Sequence, residues 1–233
     1  MAFNHGKNVR VYYNEFDMSS FLNNVDLTVD VDIPETTTYG VNDRTYIGGL
    51  RSGSMSLGGF WDGSADAIDE EIATNLGTAA EVITVAPSLA TLGNPVYIGS
   101  SFLTNYSISA PVDGIVTVST DIQCTAGLHD GHSLHNLGAE TVTDSETSFD
   151  SSATATIGGA IGHLHVTNVT GTLTVKVEDS PDNGSWADLI TFVASTSAEA
   201  QRIVITGNVD RYVKVTWTIA TGPATFMVGF ARL

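Results

Sequence analysis

The segment from Val25 to Ile33, VDLTVDVDI, alternates apolar and polar residues without a break. Only a strand puts residues two apart on one side, so Val25, Leu27, Val29, Val31 and Ile33 share a face and Asp26, Thr28, Asp30 and Asp32 share the other. A helix would scatter both sets around its circumference. The apolar set is expected in a core, the polar set in solvent. The same period recurs along the chain. GIVTVSTDIQ (114–123) alternates through Ile115 or Val116, depending on register. GTLTVKVED (171–179) aligns Leu173, Val175 and Val177. RYVKVTWTI (211–219) aligns Val213, Val215, Trp217 and Ile219, and ATFMVGF (224–230) aligns Phe226, Val228 and Phe230. The abundance of Thr, Val, Gly and Ser suits strands and turns. An all-β fold is expected.

One helical pattern interrupts the strands. Between Ser64 and Gly77, Ile68, Ile72 and Leu76 recur at helical spacing. Asp66, Asp69, Glu70 and Glu71 crowd the start, where the helix dipole favours anions. Ser64 is the expected N-cap and Gly77 the C-cap glycine. A shorter helical turn is expected within 17–24, with Asp17 capping. The polar segment 129–150 has no sustained period and reads as a linker or an ordered crossover. The expected organisation is therefore a β domain over 1–128 carrying helix 64–77, a linker over 129–150 and a second β-sandwich over 151–233.

Charge and composition narrow the function. Nine Lys and Arg face 26 Asp and Glu, a net charge of −17, the opposite of a DNA-binding surface. The single cysteine, Cys124, allows no internal disulfide and no cysteine-based metal site. The N-terminus has no apolar run of the signal-peptide kind, and no stretch is long and apolar enough for a membrane helix. No nucleophile elbow, phosphate loop, dinucleotide fingerprint, zinc-protease helix or calcium loop is present. His129, His132 and His135 lie close in sequence, but no helix aims them at one point, and a solvated or packed linker is the better reading. His163 and His165 share one side of a strand and read as a surface or inter-subunit face. Asp26, Asp30 and Asp32 lie on a straight strand that cannot wrap a cation. The chain is expected to be neither an enzyme nor a cofactor carrier, and its function is expected to reside in surfaces.

The order of segments in the first half resembles the major tail protein, or tail tube subunit, of long-tailed bacteriophages. The resemblance covers about residues 8–127 and runs through FDMSSFL, the amphipathic strand, ETTTYG, YIGGL, SMSLGGFWDG, the acidic helix and YSISAPVDGIVTVS. The segment after about 150, with SPDNGSW, RYVKVTW and FMVGFARL, looks like the immunoglobulin-like sandwich domains appended to phage structural proteins. The family implies six-membered rings that share an inner β-barrel and stack into a tube, in contact with a tape measure protein and other tail proteins. It implies a location in the virion tail, with assembly in the host cytoplasm, and DNA that passes without specific binding. It also implies that the loop at about 34–54 is an assembly arm, with Thr36, Thr37, Thr38, Tyr39, Arg44, Tyr46, Leu50 and Arg51 as its contact residues. Arg44 and Arg51 are the only basic residues between Arg10 and Lys176, natural partners for carboxylates on a neighbour. The family does not fix the place of Asp26, Asp30 and Asp32. Charge alone makes them candidates to line a lumen that repels phosphate. Two other classes stay open from the residues: a carbohydrate-binding or adhesin-like β protein using Trp61, Trp186 or Trp217, and another virion part such as a tail terminator or capsid decoration protein.

Overall fold

The computed structural model describes residues 4–64, 67–152 and 155–233. The chain is all-β with one helix: 58% of it is strand and 6% helix, in two antiparallel sheets. In chain order the elements are β1 (Arg10–Tyr13), β2 (Phe16–Asp17), β3 (Leu22–Val31), β4 (Arg51–Phe60), α1 (Ile68–Asn75), β5 (Ala79–Ala86), β6 (Pro95–Ser109), β7 (Thr117–Glu140), β8 (Asp144–Ser145), β9 (Phe149–Asp150), β10 (Ala160–Val169), β11 (Leu173–Ser180), β12 (Ala187–Thr191), β13 (Glu199–Ile205), β14 (Tyr212–Ile219) and β15 (Ala224–Arg232). Contacts group them into two units. The first comprises 1–20, 81–98 and 129–233; the second comprises 21–80 and 99–128. This grouping differs from the expected division at 128, because the first unit draws on both ends of the chain. The expected linker is also mostly strand: its first twelve residues complete β7, and β8 and β9 follow.

In the first unit β13, β10, β15 and β7 pair in that order, and β11 lies between β12 and β14 in the second sheet. Leu164, Val166, Phe226 and Val228 from the first sheet pack against Val175, Val177, Val213, Val215 and Trp217 from the second. This is the sandwich that the alternation in 171–230 implies. The opposite face of β10 and β15 is buried as well: Ile161, Met227 and Ala231 pack with Tyr12, Ala86, Val96 and Ile98. Burial on both faces explains why FMVGFA is a continuous apolar run. It also corrects the reading of His163 and His165. They share the Ile161 face of β10 and are fully buried rather than at the surface.

In the second unit β4 lies between β3 and β7. Met55, Leu57, Leu103, Val118 and Ile122 are buried there with Ile68 and Ile72 of α1. The buried series Val118, Thr120, Ile122 and Cys124 fixes the register of β7 and leaves Ile115 in solvent. The helix is shorter than expected. Ala67 stands at its N-cap without a side-chain hydrogen bond, and Ser64 instead donates its amide to Asp62. Asp66 lies outside the described residues. Gly77 follows the C-cap Leu76 at φ +80° and donates its amide to the Leu103 carbonyl. The short turn after Asp17 is a 3-10 helix over Met18–Ser20, and the Asp17 carboxylate accepts from the Ser19 amide.

Candidate assembly surface

The stretch between β3 and β4 is an ordered arm. Beyond Val31 and Arg51 the two strands stay joined by hydrogen bonds from the Asp32 amide to Leu50 O, Gly49 to Asp32 O, Ile47 to Pro34 O and Thr36 to Thr45 O. Thr36 and Thr45 join their hydroxyls at 3.1 Å, and Thr37 Oγ1 accepts from the Thr45 amide. A methyl at Gly49 would sit 2.9 Å from both Cβ and O of Asp32, so the close crossing needs glycine. Gly40 turns the tip at φ +89°.

All eight residues expected as the assembly loop are exposed: Thr36, Thr37, Thr38, Tyr39, Arg44, Tyr46, Leu50 and Arg51. Arg44 reaches Glu35 at 3.8 Å with both side chains largely in solvent, a pair worth about 0–1 kcal/mol. The arm therefore carries its aromatic and aliphatic residues without burying them.

The apolar face of β3 fares similarly, which corrects the expectation that Val25 to Ile33 lie in the core. Val25 and Leu27 are half-buried, but Val29, Val31 and Ile33 rise to 42%, 47% and 67% exposed. Leu57 and Met55, the ladder partners of Val25 and Leu27, are buried, whereas Val29 and Val31 lie opposite Gly53 and the exposed Arg51. β3 thus overhangs the core at the margin of the unit. Among the described residues it pairs with β4 alone, so its other edge presents unpaired backbone groups.

The opposite face of these strands is polar throughout. Register places Asp26, Ser56 and Asp121 in one row and Thr28, Ser54 and Gln123 in the next, with Asp30 opposite Ser52. Asn105 donates to Asp121 at 3.2 Å and Asn24 to Asp26 at 2.7 Å. A shallow cleft of about 280 Å³ lies among Asp26, Thr28, Ser54, Ser56, Thr104, Asp121 and Gln123, with Met55 and Ile122 also in its lining. Asp26, Asp30 and Asp32 are exposed as expected, and the strand partners widen their stripe into a small-residue, acidic face that the sequence did not reveal.

At the other end of the same strands lies Trp61, named from sequence as a candidate stacking residue, in a network with Tyr106 and Asp69 that the sequence did not reveal. The Trp61 amide donates to Val116 O, which seats Trp61 beside the β6–β7 turn. The Trp61 ring folds over Gly63. Its indole donates to the Tyr106 hydroxyl, which donates to Asp69 at the start of α1. Burial and that carboxylate hold the Tyr106 phenol well above its usual range.

The remaining candidates resolve into packing. Trp217 is in the core with its indole on Val142 O, and Trp186 lies under the Lys214 ammonium at 4.3 Å, so neither offers an open stacking platform. His135 stacks on Phe226 at 4.2 Å and His132 on Phe149 at 4.5 Å. Among the described residues no group of His, Cys, Asp and Glu forms a metal cluster. Burial pushes the Cys124 thiol up to about 11, which keeps it protonated and unreactive.

No protein-family model matches the sequence, and no curated protein matches it significantly. Among solved structures, a chain of the virion of a native gene transfer agent particle is similar over 54% of this chain and 97% of its own, at 15% identity and TM-score 0.43. The SPP1 tail tube is similar over 55% of this chain and 78% of its own, at 14% identity and TM-score 0.46. The SPP1 Dit protein, described as a paradigm of the hub adsorption apparatus of phages infecting Gram-positive hosts, is similar over 96% of this chain and 99% of its own, at 9% identity and TM-score 0.42. At such identities, with TM-scores below 0.5, these likenesses establish neither a shared fold nor a shared function.

Proposed function

We propose that this protein is a structural subunit of a bacteriophage tail. It assembles with copies of itself into hexameric rings that stack as a tube and let DNA pass. The observation that carries the reading is the unpaired edge of β3 with its half-exposed apolar face. A ten-residue open edge is an aggregation hazard for a monomer unless another strand covers it. Pairing that edge with a neighbour's sheet satisfies its backbone groups and buries Val29 and Val31, the mode by which strands add to sheets. Repeated head to tail, such a contact closes into a ring.

The polar face suits the inside of that ring. It carries carboxylates, hydroxyls and amides on short side chains, with no Lys or Arg in the rows from Asp26 to Gln123. Phosphate is repelled rather than held. Asp26, Asp30 and Asp32 line the lumen in this reading. The tape measure protein and other tail proteins are the further partners, and the virion tail is the location. Replacing Val29 and Val31 together by Asp should leave a folded monomer that forms neither rings nor tubes in negative-stain images. Rings of normal size from this variant would refute edge pairing through β3.

A further inference from the structure

His135, Glu140 and Glu146 lie together within the first unit, away from the surfaces described above. A regular strand sends residues five apart to opposite faces. The end of β7 departs from that rule. His135 pairs with Val228 and Gly138 with Phe226, so three steps along β7 match two along β15. The extra residue makes a β-bulge, a device that re-aims side chains. It sets His135 and Glu140 opposite Val228 and Ala224, which share one face of β15. Glu146 arrives from the other sheet. It follows β8, and its amide donates to Val215 O on β14. The three side chains meet at one atom. Nδ1 of His135 lies 3.2 Å from Phe226 O, and a carbonyl only accepts, so Nδ1 carries the ring hydrogen. Nε2 is then a bare lone pair, and it faces Glu140 Oε1 at 3.5 Å and Glu146 Oε1 at 3.8 Å. With lone pairs on both sides these contacts are not hydrogen bonds. Burial keeps the imidazole itself neutral by lowering its pKa. Among the described residues neither carboxylate pairs with a Lys or Arg. Two carboxylates and an imidazole lone pair thus converge without a positive charge between them.

We infer that His135 Nε2, Glu140 and Glu146 bind a zinc-like divalent cation that fastens the β8–β9 segment to β7. Zinc holds nitrogen and oxygen ligands at about 2.0–2.2 Å in a tetrahedron, which sets neighbouring donors about 3.4 Å apart. Separations of 3.5 and 3.8 Å are those of donors on two sides of one ion. As they stand the side chains are not closed into a cluster. The glutamates keep 31% and 30% of their side chains in solvent, so an ion and its waters have access and the carboxylates are free to close on it. The Nδ1 bond to Phe226 O is the outer hydrogen bond that fixes a ligating imidazole. An imidazole ligand selects zinc, nickel or copper over calcium and magnesium. The segment has need of a fastening, since β8 and β9 are two residues each and pair with β14 at two positions each. The site stands whether or not the protein forms tubes.

Full-length protein stripped with EDTA and titrated with zinc chloride should take up one tight ion per chain by calorimetry. Its melting temperature should rise with zinc concentration, and calcium chloride at the same concentration should leave it unchanged. Nickel chloride should quench part of the tryptophan fluorescence, because the Trp217 ring lies 4.9 Å from His135. Hydrogen exchange at the Glu146 amide should slow when zinc is bound. The double variant Glu140→Gln with Glu146→Gln changes only partly exposed side chains and keeps the fold. It should lose at least about tenfold in zinc affinity, as His135→Gln should. Zinc binding undiminished in the Glu pair would place the ion at other histidines and overturn the site. So would a melting temperature that ignores zinc, or one that calcium raises equally.

Discussion

His165 shows how far one residue can depart from what its neighbours in sequence suggest. Its Nδ1 donates to the Asn14 carbonyl at 2.6 Å, so its Nε2 is the bare nitrogen and accepts from the Thr84 hydroxyl at 2.8 Å. The same hydroxyl oxygen then accepts from His163 Nδ1 at 3.1 Å. Both imidazoles are neutral in this arrangement, and burial enforces it. His165 is pushed down to about 4. His163 lies well below its usual value, lowered first by burial and further by His165, Arg202 and His129. An unfolded histidine binds its proton near pH 6.5, so between pH 6.5 and 4 the unfolded chain holds more protons than the folded one. Stability is therefore level above pH 6.5 and falls as pH drops through that window. His165 alone accounts for a loss of about 3 kcal/mol by pH 4. His132 and His135, also lowered by burial, steepen the fall. Thermal melts from pH 8 to 4 should show this drop, with a shallower slope when His163 and His165 are both replaced by Gln. An unchanged slope in that variant would place the acid sensitivity elsewhere.

At the scale of elements, alternation identified the strands but could not report what covers each face. β11 and β14 behave as their period implies, because each is buried on one side only. β3 has the clearest alternation in the chain and is nonetheless the least covered of the long strands, since period describes amphipathicity and not the presence of a core. The final stretch of β7 failed in the opposite sense. Ser133 and His135 are polar by type, yet both are buried, the serine hydroxyl on Ala90 O and the imidazole on Phe226 O. Satisfied polar groups inside a strand erase the period, so this end of a long strand reads from sequence as a linker or an ordered crossover. The arm was legible as a segment, from its length and from aromatic residues that a solvated loop has no use for. Its ladder was not, because the pairing depends on the crossing at Gly49. Gly49→Ala should disturb that crossing by forcing Asp32 away. The melting temperature should hold, as the arm buries little, while tube formation weakens. A variant that assembles as the wild type does would show that the arm's order is irrelevant to its function.

At the scale of the whole chain, the resemblance to tail tube proteins ended near residue 127 and suggested a first domain that stands by itself. The packing of the first unit argues otherwise. Tyr12, Ala86, Ala90, Val96 and Ile98 come from the segments 1–20 and 81–98, and they are buried against Ile161, Met227 and Ala231. Thr84 and Asn14 depend in the same way on His163 and His165. A fragment ending at Leu128 would leave these five apolar residues without their partners. Uncovering a large apolar side chain costs about 1.5–3 kcal/mol. The sum for Tyr12, Val96 and Ile98 with the two alanines reaches roughly 5–10 kcal/mol, comparable to the whole net stability of a domain. The β1–β5 pairing would also lose the strand that covers its inner face. In a fragment 1–128 the amides of 10–20 and 81–98 should therefore lose the NMR dispersion that they have in the full chain, and the melt should be broader and of smaller amplitude. A cooperatively melting fragment that still builds thin tubes would show that the two ends of the chain fold independently, and that the histidine-lined interior of the first unit is dispensable to the polymer.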